Sequence, residues 1–145
     1  MTKLLRVVVD TNVLVSGLFG IKDSAPSKIL ETIRNQHFIL VSSPAIIEEV
    51  KEVINRIRIV KLTGMTKRER KKFIVELVKR CDVVSGRQIV PHGVRDRKDE
   101  MLLICANESK ADYIITGDKD LLVLHEYANT KIITPKDFVD MLIKS

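Results

Sequence analysis

The run Leu4-Leu5-Arg6-Val7-Val8-Val9 stops at Asp10 without ever alternating polar and apolar residues. A half-exposed antiparallel strand would alternate, so this run reads as a strand covered on both faces, the condition of a parallel sheet. Parallel neighbours need crossover connections, and these are generally helical. The rest of the chain supplies them.

Ser24-Ala25-Pro26-Ser27 opens a helix carrying Ile29, Leu30 and Ile33 and ending near Asn35; Phe38 to Val41 follows as a strand. Ser43-Pro44 caps a helix with Ile46, Ile47, Val50, Val53, Ile54 and Ile57 at helical spacing. Thr63-Gly64 interrupts it. Thr66 to Glu69 is a capping-box sequence for a helix from Lys67 to about Arg80, with Phe73, Leu77 and Val78 on one side. Val83-Val84 and Ile89-Val90 are extended candidates, and Pro91-His92-Gly93 is a loop.

Asp99 to about Ser109 is apolar nearly all round, the mark of an internal helix. Tyr113 to Thr116 is a strand, Gly117-Asp118 a turn, Asp120 to about Leu124 a short helix, Lys131 to Ile133 a strand and Pro135 to Ile143 a closing helix. The alternation predicts a three-layer α/β/α sandwich around a central, mainly parallel sheet, one domain spanning residues 1–145.

A chain of 145 residues can bury a core without staples. Cys81 and Cys105 lack metal-ligand spacing and read as core thiols. With no hydrophobic targeting segment after Lys3 and no stretch of membrane-spanning length, a cytoplasmic location and no membrane partner are expected.

Charge is distributed unevenly. Residues 56–80 hold ten basic side chains against Glu69 and Glu76, a local +8 in a chain whose total is +6. Such a block suits a polyanion, because cations bound to phosphates release condensed counter-ions; it equally suits a solvated helix face. Arg68, Lys71 and Lys72, with Arg97 beside the later acids, are the candidate contacts for single-stranded or structured RNA.

Four carboxylates stand where internal elements end or flank the core: Asp10, Glu49, Asp99 and Asp118. Asp10 and Asp118 lie just past strand ends, where ligands bind in open α/β sheets. Helix geometry separates Glu49 from its neighbour: at about 100° per residue Glu48 points roughly 160° from the apolar stripe and Glu49 roughly 100°. Glu49 therefore flanks the core while Glu48 faces water. Asp99 and Asp96 begin the internal helix, where its dipole favours negative charge. Simpler roles also fit: Asp10 as a helix cap, Asp96 and Asp99 as a cap pair, Asp120 in an exposed turn.

Convergence of several carboxylates is costly unless a cation neutralises them. Oxygen ligands without His or Cys suit Mg²⁺ or Mn²⁺, which can activate water for phosphodiester hydrolysis. His37, His92 and His125 share no spacing and read as surface residues.

The segments Val7 to Ser16 (with Asp10-Thr11-Asn12), Ser43 to Val50, Asp96 to Leu102 and Thr116-Gly117-Asp118-Lys119-Asp120-Leu121 resemble, in order, the motifs of PIN domains. The resemblance spans nearly the whole chain. It implies that Asp10, Glu49, Asp99 and Asp118 are catalytic metal-binding acids, with Asn12 and Thr116 as supporting polar positions and Asp96 and Asp120 as accessory acids. It further implies a Mg²⁺- or Mn²⁺-dependent endoribonuclease, a homodimer or higher homo-oligomer, and an antitoxin protein as a candidate partner. Two alternatives compete: a catalytically weak PIN-fold module binding RNA or protein, and a metal-dependent phosphatase of the haloacid-dehalogenase type. The phosphatase pattern wants a second Asp where Asn12 stands.

Overall fold

A computed structural model describes residues 3–87 and 97–144; Asp96, His92, the extended candidate Ile89-Val90 and the loop Pro91 to Gly93 lie outside the described residues. Six strands form one sheet in the order β3-β2-β1-β4-β6-β5. They are β1 (Arg6–Val9), β2 (Ile39–Ser42), β3 (Cys81–Val83), β4 (Tyr113–Ile115), β5 (Glu126–Tyr127) and β6 (Thr130–Ile133). All pairings are parallel except β5 with β6.

The first strand sits in the middle because its side chains are apolar on both sides. Val7 and Val9 enter one core, Val8 the other, and all three are almost fully buried. Against the first face pack α1 (Thr11–Ser16), α2 (Ala25–Arg34), α3 (Pro44–Ile54), α5 (Lys67–Arg80) and α8 (Pro135–Lys144). Against the second lie α6 (Arg97–Ser109) and α7 (Lys119–Leu122). This is the expected three-layer sandwich, built on helix starts the sequence specifies. Ser24 and Ser43 oxygens accept from the Ser27 and Ile46 N–H groups, and Thr66 with Glu69 completes a capping box. Each such cap contributes about 1 kcal/mol.

Two expectations are corrected. The apolar spacing through Ile57 predicts one continuous helix, but α3 ends at Ile54 and a separate α4 (Ile57–Thr63) follows. Asn55 holds the corner: its Nδ2 donates to Lys51 O at 2.8 Å and its Oδ1 accepts from Arg70 Nε at 2.8 Å, while Arg56 turns extended. Ile57 is left 75% exposed, and no residue of α4 is buried. On α5, Ile74 is buried against Val50 and Ile54, whereas Val78 lies one helical step past Leu77 and is 38% exposed.

Candidate metal centre

The strand order decides where a site can form. From β1 the chain steps outward through β2 and β3, then crosses to the other side of β1 to form β4. The carboxyl ends of β1 and β4 therefore diverge into a crevice, the usual ligand position in an open α/β sheet. Asp10 and Thr116 occupy those two ends.

A chain of hydrogen bonds crosses the crevice. The Asp10 N–H donates to Ile115 O at 2.9 Å, continuing the sheet one residue past β1. The fully buried Thr116 Oγ1 donates to Asp10 Oδ2 at 2.8 Å and accepts from the Asp118 N–H at 3.0 Å. Asp118 Oδ1 accepts in turn from the Asp120 N–H at 2.9 Å. One hydroxyl thus fixes the strand-end carboxylate and the turn that presents the next two acids. Its single proton goes to Asp10, and one of its two lone pairs accepts from the Asp118 N–H.

Asp10 stands at the N-cap of α1, but its carboxylate is also engaged across the crevice by Thr116, so capping alone does not account for it. Its carboxyl is pushed above the ordinary 3.8, first by burial and then by the negative charges of Glu49 and Asp118. Hydrogen bonding from Thr116 and the nearby Asn12 backbone opposes that rise. Glu49 is half-buried on α3, facing Asp10, while Glu48 stays exposed and pairs with Lys51 at 3.6 Å. The helical-wheel distinction between these two glutamates is met by the structure.

Among the described residues, Asp99, Asp118 and Asp120 form a group in which each can place an oxygen within 4.8 Å of the others. Asp99, in the first turn of α6, is only 2% exposed. Sequence reasoning ranks Asp120 as accessory, yet its carboxylate belongs to this trio. The signal was available: Asp118 caps α7 through the Asp120 N–H, which folds the two acids onto one turn. Asn12 is exposed at the start of α1, and Arg97, Arg68, Lys71 and Lys72 are exposed cations.

The donor set fits a hard divalent cation. It consists of carboxylate oxygens with no His or Cys in the group, and it runs from the buried Asp99 through the half-buried Asp118 to the exposed Asp120. Burying such charges without a counter-ion is unfavourable; a cation among them reverses the sign. Residues placed to hold it are Asp99, Asp118 and Asp120, with Asp10 and Glu49 adjoining.

Comparison with known proteins gives the same picture. A family model described as PIN domain matches residues 6–120. The chain is 31% identical over 144 residues to Uncharacterized protein MJ1680 of Methanocaldococcus jannaschii, covering 94% of this chain and 90% of that one. In fold it is similar to a chain in the crystal structure of VapBC2 from Rickettsia felis bound to a DNA fragment from their promoter. That match has a TM-score of 0.55 at 12% identity and covers 90% of this chain and 98% of the other. The matched stretch runs from β1 through the Asp118 to Asp120 turn and so includes every acid of the cluster: the chain belongs to the PIN-domain family.

Proposed function

We propose that this protein is a divalent-metal-dependent endoribonuclease, cutting RNA phosphodiester bonds to leave a 3′-hydroxyl and a 5′-phosphate. Members of the PIN-domain family are generally metal-dependent nucleases. The observation that carries the reading here is the carboxylate trio of Asp99, Asp118 and Asp120 beside a desolvated Asp10.

In this reading Asp10, Glu49, Asp99 and Asp118 hold Mg²⁺ or Mn²⁺, Asp120 joins them, and Asn12 and Asp96 support the site. A bound ion would supply Lewis acidity toward water and the phosphate oxygens. The chain's own work is positional. Thr116 orients Asp10 and Asp118, and Asp99 sits in the first turn of α6, where the helix dipole favours negative charge. Arg68, Lys71, Lys72 and Arg97 meet the RNA backbone as point charges. Assembly as a homodimer or higher oligomer, and pairing with an antitoxin protein, belong to the same proposal; the fold shared with a VapBC2 chain supports the latter. A cytoplasmic site of action accords with two free thiols.

The test offers single-stranded RNA and DNA of one sequence to the purified protein with Mg²⁺, Mn²⁺ or chelator. Expected is RNA cleavage that needs the metal and is lost in Asp99→Asn. Turnover of small phosphomonoesters without RNA cleavage would assign a phosphatase instead. RNA binding without cleavage at saturating metal would assign a binding module.

A further inference from the structure

The cations of α5 do not form one surface. Lys72 lines the side of the helix that faces α2, together with Arg34 and Arg80. Lys67, Lys71 and Lys79 line the opposite side, where α5 and α3 enclose a groove of about 560 Å³. Lys51 adds a fourth ammonium from α3, and Arg70 is held at the groove by Asn55 Oδ1 and Met65 O. No acidic residue lines this groove. Lys67, Lys71 and Lys79 make no ion pair among the described residues.

Its floor is aliphatic, made of Ile74, Val75 and Val78. Val75 and Val78 are 44% and 38% exposed, an apolar strip that solvates poorly. We propose that this groove docks an acidic amphipathic segment of a partner polypeptide. Aliphatic side chains at helical spacing would cover Val75 and Val78, and flanking carboxylates would meet the lysines.

Other occupants fit less well. Single-stranded RNA binds best where rings stack on bases, and no aromatic side chain lines the groove. Of the cations given to RNA above only Lys71 borders it, and the partner segment would compete with RNA for that residue. A two-fold contact with a second copy would bring one cationic rim against another, an unfavourable match. The inference goes beyond the nuclease reading and does not rest on it. Its decisive variants, Lys67→Glu with Lys79→Glu and Val75→Ser with Val78→Ser, avoid every residue assigned to metal or RNA.

The probe is a labelled synthetic helix of about 14 residues, with Leu at i, i+3, i+4 and i+7 and Glu on the flanks. A scrambled peptide of the same composition serves as control, and binding is followed by fluorescence anisotropy with the full chain. Expected is binding that weakens with salt, about tenfold weaker binding of the scramble, and a loss of about tenfold or more in each double variant. Circular dichroism of both variants should match the parent. Equal affinity for peptide and scramble, or no effect of the valine pair, overturns the proposal. An RNA oligonucleotide whose affinity falls with the valine pair overturns it in favour of nucleic acid. A dimer in sedimentation that dissociates in the same variant overturns it in favour of self-association.

Discussion

The two charged regions of this molecule are built in opposite ways. At the carboxyl edge of the sheet, Asp99, Asp118 and Asp120 from distant parts of the chain come within ligand range of one another, with Asp99 almost fully buried, and Asp10 feels the charges of Glu49 and Asp118. On α4 and α5 the charges come from one stretch of sequence and spread apart in solvent. Several are spent locally: Arg56 pairs with Glu52 at 3.0 Å, Arg80 with Glu76 at 2.7 Å, and Arg70 ties down backbone. Like charges forced together out of water demand a counter-ion, whereas like charges in water do not. The acidic region, with Asp99 buried and Asp118 half-buried, therefore favours a nearby cation more strongly than the exposed basic region favours an anion.

This contrast breaks most visibly if the acids are neutralised. Asp99→Asn or Asp10→Asn is expected to lower metal-dependent RNA cleavage by about 100-fold or more, beyond the usual cost of losing an outer-shell partner. Rates near the parental value in both would sink the site. Glu49→Gln should cost about tenfold while Glu48→Gln changes nothing, since only the former faces Asp10; equal effects would refute the assignment.

On the basic side, Arg68→Ala with Lys72→Ala should weaken RNA binding uniformly and flatten its log–log salt dependence by about two units. An unaltered slope returns these residues to the role of a solvated face. The next effect is smaller and opposite in sign. Asp10's carboxyl titrates higher in the folded protein than in the unfolded chain, so the folded state holds its proton longer. The resulting stability is present below the unfolded value and lost as pH rises through the folded one. Without metal at neutral pH, Asp10→Asn should melt a few degrees higher than the parent. The gap should close toward acid, and a lower melting temperature at neutral pH would contradict it. Least of all, Ile57→Ser on exposed α4 should shift stability by no more than about 0.5 kcal/mol, read from chemical denaturation.

How far the sequence alone reaches depends on whether a feature is set locally. Caps at Ser24, Ser43 and Thr66, and the two-sided burial of Val7 to Val9, are written in neighbouring residues. Glu49 is separable from Glu48 because the stripe of Ile46, Ile47 and Val50 fixes the helix's rotation. The break at Asn55 is different. Ile57 keeps the apolar rhythm, and only the tertiary bond from Arg70, fifteen residues later, reveals why the helix turns there. Val78 likewise reads as core until α3 is seen to pack on Ile74. The short strand β5 is legible only through its pairing with β6. The closeness of Asp120 to Asp99 is hidden for a related reason: it depends on α6 and the turn after β4 arriving at one point.

The bond between Thr116 and Asp10 joins residues 106 positions apart. During synthesis the first strand leaves the ribosome long before β4 exists to complete its second edge. A nascent chain ending at Thr116 would carry Asp10, Glu49 and Asp99 but lack the Asp118 and Asp120 carboxylates. On the nuclease reading proposed above, the pocket would close only once this late-made turn is in place, so strand order would delay activity until the chain is nearly finished.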